Sequence, residues 1–276
     1  MRPSERQPSR RVEASVFVYG EDAISGRDLS VPVETPVEMA YGGVPFAVMM
    51  MTPRDLEDFA YGFSLTEGMV RSARDIRGVS TESLPAGIRV DTLLSPDRLA
   101  THFARRRAMS GRTGCGVCGI EDLASLSPAD NRVVVPPRVS LAAVERAVAA
   151  LESGQVLNAE TRSVHAAAWA DVDGRVLHLR EDVGRHNALD KLIGCLIRND
   201  VEAGRGFVVI TSRCSFEMVE KVAALGAGML VAVSAPTSLA LDKARRFGMA
   251  LLGIARRDGV TAFLGQDAIL MDPAFA

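Results

Sequence analysis

From Gly206 onward the chain alternates short apolar runs with helical patterns: GFVVITS, SFEMVEKVAALGA, MLVAVSA, SLALDKARRFG and ALLGIA. The apolar runs are too short for helices and end in turn residues, while the segments between them repeat apolar residues at three- and four-residue spacing. Strand, helix, strand, helix, strand with short connections implies right-handed crossovers and a parallel sheet. Just before this series, SVHAAAWADV and RVLHLRE are separated by Asp173-Gly174, a two-residue hairpin signal. GRHNALDKLIGCLIRND then reads as a helix, and SLAAVERAVAALES as an amphipathic helix capped by Ser140.

The first third of the chain has a different texture. Residues 1–11 carry Pro, Ser and Arg with little to bury and read as a disordered tail. Residues 12–95 form a strand-rich N-terminal subdomain, with strands expected at VEASVFVY, TPVEMAY, VPFAVMMM, IRGVSTES and GIRVDTLL. One helix interrupts them at DLEDFAYGFSLTEG, with Thr52 as its expected N-cap and Pro53 at its first position. Met49 to Met51 read as core of a buried strand. Residues 96–131 are a polar, Gly-rich loop region, and residues 132–276 an α/β domain. The fold class is therefore α/β, a C-terminal βαβαβ parallel sheet with a smaller strand-rich N-terminal part.

Composition narrows the functional classes. With 47% apolar residues in 276, the chain can bury a sizeable core. Thirty-two Lys plus Arg against 34 Asp plus Glu leave a net charge of −2, which gives no global reason to expect nucleic acid or an anionic membrane as partner. No apolar window is long enough to span a bilayer, and the Arg-rich start lacks a secretory apolar region, so the expected location is cytoplasmic. Four cysteines are too few for a disulfide scaffold. Cys195 and Cys214 lie in apolar or helical surroundings and read as small buried hydrophobes.

In a parallel α/β sheet, sites gather where strands end and helix N-termini present backbone N–H groups. Those places are rich in polar residues here: Arg180-Glu181-Asp182-Val183-Gly184-Arg185-His186-Asn187, then Thr211-Ser212-Arg213, Ser234 to Ser238, and Arg256-Arg257-Asp258-Gly259. Such loops suit phosphate or carboxylate groups. Helix capping accounts for Thr237 and Ser238, but not for the density of charge, imidazole and amide in REDVGRHN.

The remaining feature is GRTGCGVCG at 111–119. A structural zinc site needs four ligands, usually as two close pairs, and only one Cys-x-x-Cys is present. Zinc deamination also needs an upstream His-x-Glu, and the only upstream histidine, His102, precedes Phe103 and Ala104. A thioredoxin-like pair opens a helix after a strand, whereas glycines surround this one. Glycine-rich flanks instead make a mobile arm. Arg105, Arg106, Arg107 and Arg112 precede Cys115 with no acid among residues 98–120, which favours its thiolate. Zinc binding, disulfide exchange and sulfur carriage all stay open at this point.

TGCGVCG, HAAAW, REDVGRHNALDKLIG, TSRCSFEMVEK and SAPTSLALDKA, with TPRDLEDFAYGFSLTEG earlier, resemble the FdhD family of formate dehydrogenase accessory sulfurtransferases over nearly the whole chain. The resemblance implies a cytidine-deaminase-like fold, a homodimer and a sulfurtransferase. In it a cysteine desulfurase would load a persulfide, and the sulfur would pass to bis-molybdopterin guanine dinucleotide, the molybdenum cofactor, before that cofactor enters formate dehydrogenase. Cys115 matches the persulfide-bearing position and Cys118 the second cysteine. Ile254, Ala255, Arg256, Arg257, Asp258 and Gly259 match the segment lining the cofactor site. Arg180, Arg185 and His186 are expected to hold its phosphates or guanine. No permanent metal is expected, and neither nucleic acid nor a membrane as partner.

Overall fold

The computed structural model describes residues 7–17, 19, 24–99 and 132–271. Cys115, Cys118 and the arginines before them lie outside the described residues. In the N-terminal part, β1 (Ser9–Phe17) and β2 (Ile24–Pro32) form an antiparallel pair. Next come β3 (Thr35–Tyr41), β4 (Val44–Met51), helix α1 (Leu56–Thr66), β5 (Ile76–Leu84) and β6 (Gly87–Leu94). The last four strands make a sheet in the order β4-β3-β6-β5. Phe59 and Phe63 of α1 stack at 5.3 Å and close its core with Val37, Met39, Met51 and Val90.

The C-terminal part opens with β7 (Val139–Ser140), α2 (Leu141–Gly154) and α3 (Val156–Thr161). It continues through β8 (His165–Asp171), β9 (Val176–Asp182), α4 (Arg185–Arg198), β10 (Gly206–Ile210), α5 (Phe216–Leu225), β11 (Met229–Ala232), α6 (Ser238–Phe247), β12 (Ala250–Arg256) and β13 (Gly259–Leu264). A last short strand, β14 (Ile269–Leu270), pairs with β7. The large sheet has the order β13-β12-β11-β10-β8-β9. Alternation along the strands sorts its side chains into two cores. Val208, Ile210, Leu230 and Ala232 face α4, α5 and α6, whereas Phe207, Val209, Met229 and Val231 face α2.

The α/β class, the expected crossovers and the 163–182 hairpin are all present, with β10, β11 and β12 parallel and β8 antiparallel to β9. The sheet is mixed rather than parallel throughout: the β8/β9 hairpin joins one side and β13 returns antiparallel at the other. Two further readings are corrected, and one strand was not anticipated. Ser9 to Arg11, placed in the tail by their polarity, belong to β1, where Ser9 Oγ donates to Glu160 Oε1 of α3 at 3.0 Å. Its partner β2 has no apolar alternation to announce it, because Gly26, Arg27 and Asp28 sit in its middle. Thr52 does not cap α1, which starts four positions later behind Asp55 in the left-handed region. The polar groups of Thr52 are instead turned into the C-terminal part.

Helices α1 and α4 join the two parts at backbone contact. A Cβ on Gly62 would lie 1.8 Å from Asp190 O, and one on Gly194 1.7 Å from Asp58 O, so only glycine permits this crossing. Ion pairs flank it. Asp58 is shared by Arg180 and Arg198, and Lys221 reaches both Asp190 and Thr66 at 2.8 Å.

Candidate functional site

Strand direction fixes where the polar loops meet. β9, β10, β11 and β12 all run the same way, so Asp182, Thr211, Val233 and Ile254 lie at one end of the sheet. β8 runs oppositely and starts there, with His165 paired to Asp182. Backbone hydrogen bonds lace the loops together. Cys214 N donates to Ala235 O, Thr237 N to Cys214 O, and Ile254 N to Ser234 O, at 3.0 to 3.3 Å. This is the edge at which an α/β sheet binds ligands.

The loop after β9 is the most tightly specified. Asp182 has no accessible surface, and its carboxylate accepts four hydrogen bonds: from Thr52 N, Gly184 N, Asn187 Nδ2 and Lys191 Nζ. Those bonds fold the chain into the turn at Gly184 from which α4 starts, putting Arg185 and His186 in its first turn. A 14-residue helix directs its unpaired N–H groups and the positive end of its dipole to the same place.

Arg185 and His186 are bonded quite differently. Arg185 Nε and His186 Nε2 are buried and make no hydrogen bond among the described residues. His186 Nε2 stands 3.4 Å from Glu217 Oε2, within ion-pair range but outside hydrogen-bond geometry. Ser215 Oγ donates to the same Glu217 oxygen at 2.8 Å. The neighbouring His186 imidazole holds the Glu217 carboxyl below its usual range, with Ser215 helping and burial opposing. Burial likewise pushes the His165 imidazole down, reinforced by Arg185 and His186 and opposed by Asp182. Two histidines, an arginine and a helix N-terminus thus share one partly buried location, a setting that favours an anion.

The segment Ile254 to Gly259 spans the end of β12 and the turn into β13. Ile254 adopts φ 52, a conformation rare for a β-branched residue, and its side chain is exposed. The β12–β13 pairing shifts register there, between Gly253 and Arg256. Ala255 is buried, while Arg256, Arg257, Asp258 and Gly259 are exposed, and Arg257 pairs with Glu152 of α2 at 2.9 Å. Arg180 lies elsewhere. Its guanidinium is held by Asp58 at 2.7 Å and by Cys195 Sγ at 3.0 Å, beneath the crossing of α1 and α4. Cys195 and Cys214 are buried as expected, and burial lifts both thiols, Cys214 to about 12.

Glu217, His165 and the Asp182–Lys191 pair were not singled out by sequence reasoning. Lys191 carried a usable signal, since a lysine inside the apolar run of DKLIGCLI has to find a buried partner. Glu217 carried less, because an acid in a first helical turn is ordinary. Among the described residues no group of three or more His, Cys, Asp or Glu could hold a metal ion. No described helix is long and apolar enough to cross a membrane.

Fold and site together define an α/β protein with an anion-attracting centre where its strands end. Comparison with known proteins makes this specific: the model of the FdhD/NarQ family matches residues 32–270, and the chain belongs to that family. A protein of Xanthomonas euvesicatoria named sulfur carrier protein FdhD is 48% identical over 232 residues, covering 82% of this chain and 80% of its own. A Bordetella petrii protein of the same name is 46% identical over 243 residues, 88% and 87% of the two chains. The crystal structure described as a putative formate dehydrogenase accessory protein from Desulfotalea psychrophila superposes with a TM-score of 0.76 over 96% of this chain and all of that one. At 24% identity that likeness concerns the fold.

Proposed function

We propose that this chain is a sulfur carrier serving a formate dehydrogenase, with Cys115 as the sulfur-bearing residue and the strand-end centre as the seat of the cofactor that receives the sulfur. In the first step the Cys115 thiolate attacks the outer sulfur of a cysteine desulfurase persulfide, and the donor cysteine leaves as its thiolate. Charge and electrons balance without another reagent. In the second, Cys118 attacks the inner sulfur of the Cys115 persulfide. A Cys115–Cys118 disulfide forms, sulfur leaves as hydrosulfide, and the dithiol supplies the two electrons that reduce the sulfane sulfur. A cellular thiol reductant then restores the pair.

The cofactor in this reading is bis-molybdopterin guanine dinucleotide, bound as cargo. The observation that carries the assignment is the bonding state of Arg185 and His186 at a helix N-terminus: among the described residues Arg185 Nε is buried without a hydrogen bond, and His186 Nε2 has only Glu217 Oε2, at 3.4 Å. Phosphate oxygens would meet both requirements. Exposed Ile254, in its left-handed conformation, lies at the same end of the sheet on β12, with β11, β10 and β8 between it and β9, and Arg256, Arg257, Asp258 and Gly259 follow it in the turn to β13. Arg180, already paired with Asp58, is assigned to holding α4 rather than to touching the cargo. A homodimer in the cytoplasm is part of the same reading. Calorimetric titration with GDP tests it: Arg185→Ala and His186→Ala should each weaken binding roughly tenfold, the usual scale for losing a charge-assisted hydrogen bond. Wild-type affinity in both variants contradicts the assignment.

A further inference from the structure

The turn that carries Arg185 and His186 is held from both parts of the chain, with Met50 and Thr52 supplying the contacts from the N-terminal part. Thr52 N donates to Asp182 Oδ2 at 3.0 Å, and Thr52 Oγ1 accepts from Val183 N at 3.2 Å. Lys191 Nζ bridges Thr52 O and Asp182 Oδ2 at 2.8 and 2.6 Å. Asn187 Nδ2 joins Met50 O to Asp182 Oδ1 at 2.9 and 3.0 Å. Thr52, Asp182 and Lys191 have no accessible surface at all, so none of them can touch a ligand.

A buried lysine–aspartate pair is a poor source of net stability, because desolvating both charges offsets most of their attraction. Apolar side chains of the same size would fill the space as well. What a carboxylate with four donors achieves, and apolar packing cannot, is direction: it fixes the path of the chain through residues 182–187. We infer that Thr52, Asp182 and Lys191 are positioning residues, which aim Arg185 and His186 and make that aim depend on Met50–Thr52, a segment outside the α/β domain. The ligand toward which they aim is the one proposed above, and the inference rests on that reading. The strand-rich part is thereby a component of the site and not an appendage to it.

Thr52 allows a clean test, since valine has nearly its shape and serine keeps its hydroxyl. Hydrogen–deuterium exchange is followed on the unliganded full-length protein for the peptide covering Val183–Asn187, with the β11 strand Met229–Ala232 as internal control. GDP affinity is measured on the same proteins well below their unfolding midpoints. In Thr52→Val the turn should exchange roughly tenfold faster, as expected for a lost buried acceptor, with β11 unchanged. GDP should bind correspondingly more weakly, and Thr52→Ser should restore both values. Wild-type exchange at the turn in Thr52→Val overturns the inference. So does faster exchange with unaltered GDP affinity, which is the result of a merely structural role. Failure of the wild-type protein to bind GDP overturns the ligand reading instead, and exchange at the turn still decides whether Thr52 holds it.

Discussion

Asp182–Lys191 and Arg185–His186 are neighbours on one turn, yet their bonding is opposite. The first pair is fully enclosed, and the carboxylate has a partner for every lone-pair direction. The second pair is partly open: among the described residues Arg185 Nε makes no hydrogen bond, and His186 Nε2 has only Glu217 Oε2 nearby, at 3.4 Å. A protein leaves such groups unsatisfied at a cost of roughly 1–3 kcal/mol each, so their presence beside a saturated cluster marks a division of labour. In the proposed reading, one pair makes the turn rigid, and the other presents Arg185, and His186 beside Glu217, to a ligand.

Perturbing each side separately shows whether that division is real. Lys191→Met leaves Asp182 as an uncompensated buried charge and should lower stability by about 3–5 kcal/mol in denaturant titration. Arg185→Ala should do the reverse, leaving stability within about 0.5 kcal/mol of wild type while GDP binding falls. Equal losses of stability in the two variants would erase the distinction. Arg180→Ala lies between them. Asp58 keeps Arg198, so the expected cost is about 1–3 kcal/mol with GDP affinity nearly intact. A tenfold loss of GDP binding there would move Arg180 to the ligand side.

Smaller effects refine the picture. Burial holds the His165 imidazole below its usual range, so as pH falls the unfolded chain takes up this proton before the folded one. Its contribution to stability is complete above the unfolded value of about 6.5, shrinks as pH falls from there toward the lowered folded value, and is gone below it. The thermal midpoint should therefore drop between pH 7 and 5, and His165→Gln should flatten the drop. Arg257→Ala should be nearly silent, under about 0.5 kcal/mol, because its partnership with Glu152 is solvent-exposed.

The parts legible in the sequence were those governed by local rules. Asp173-Gly174 gave away the β8/β9 hairpin, Ser140 Oγ does accept from Ala143 N at 3.1 Å, and the apolar periodicity located α4, α5 and α6. The density of polar residues after β9 pointed to the strand-end centre. What stayed hidden depends on contacts between distant residues. Thr52 has the residue type and context of an N-cap, but its partners are Asp182, Val183 and Lys191, some 130 positions away. Arg180 looked like one more cation of REDVGRHN, yet it lies inside β9, two residues before Asp182, and its guanidinium is taken up by Asp58. Glu217 and His186 are brought together only by the packing of two helices that follow different strands.

The central claim is that sulfur travels on Cys115. Intact mass spectrometry of the full-length protein, after incubation with a cysteine desulfurase and cysteine, tests it most directly, with peptide mapping of residues 108–132. The account predicts an added sulfur atom on Cys115 that dithiothreitol removes, with none in Cys115→Ala. An unmodified Cys115, together with stoichiometric bound zinc, would contradict it.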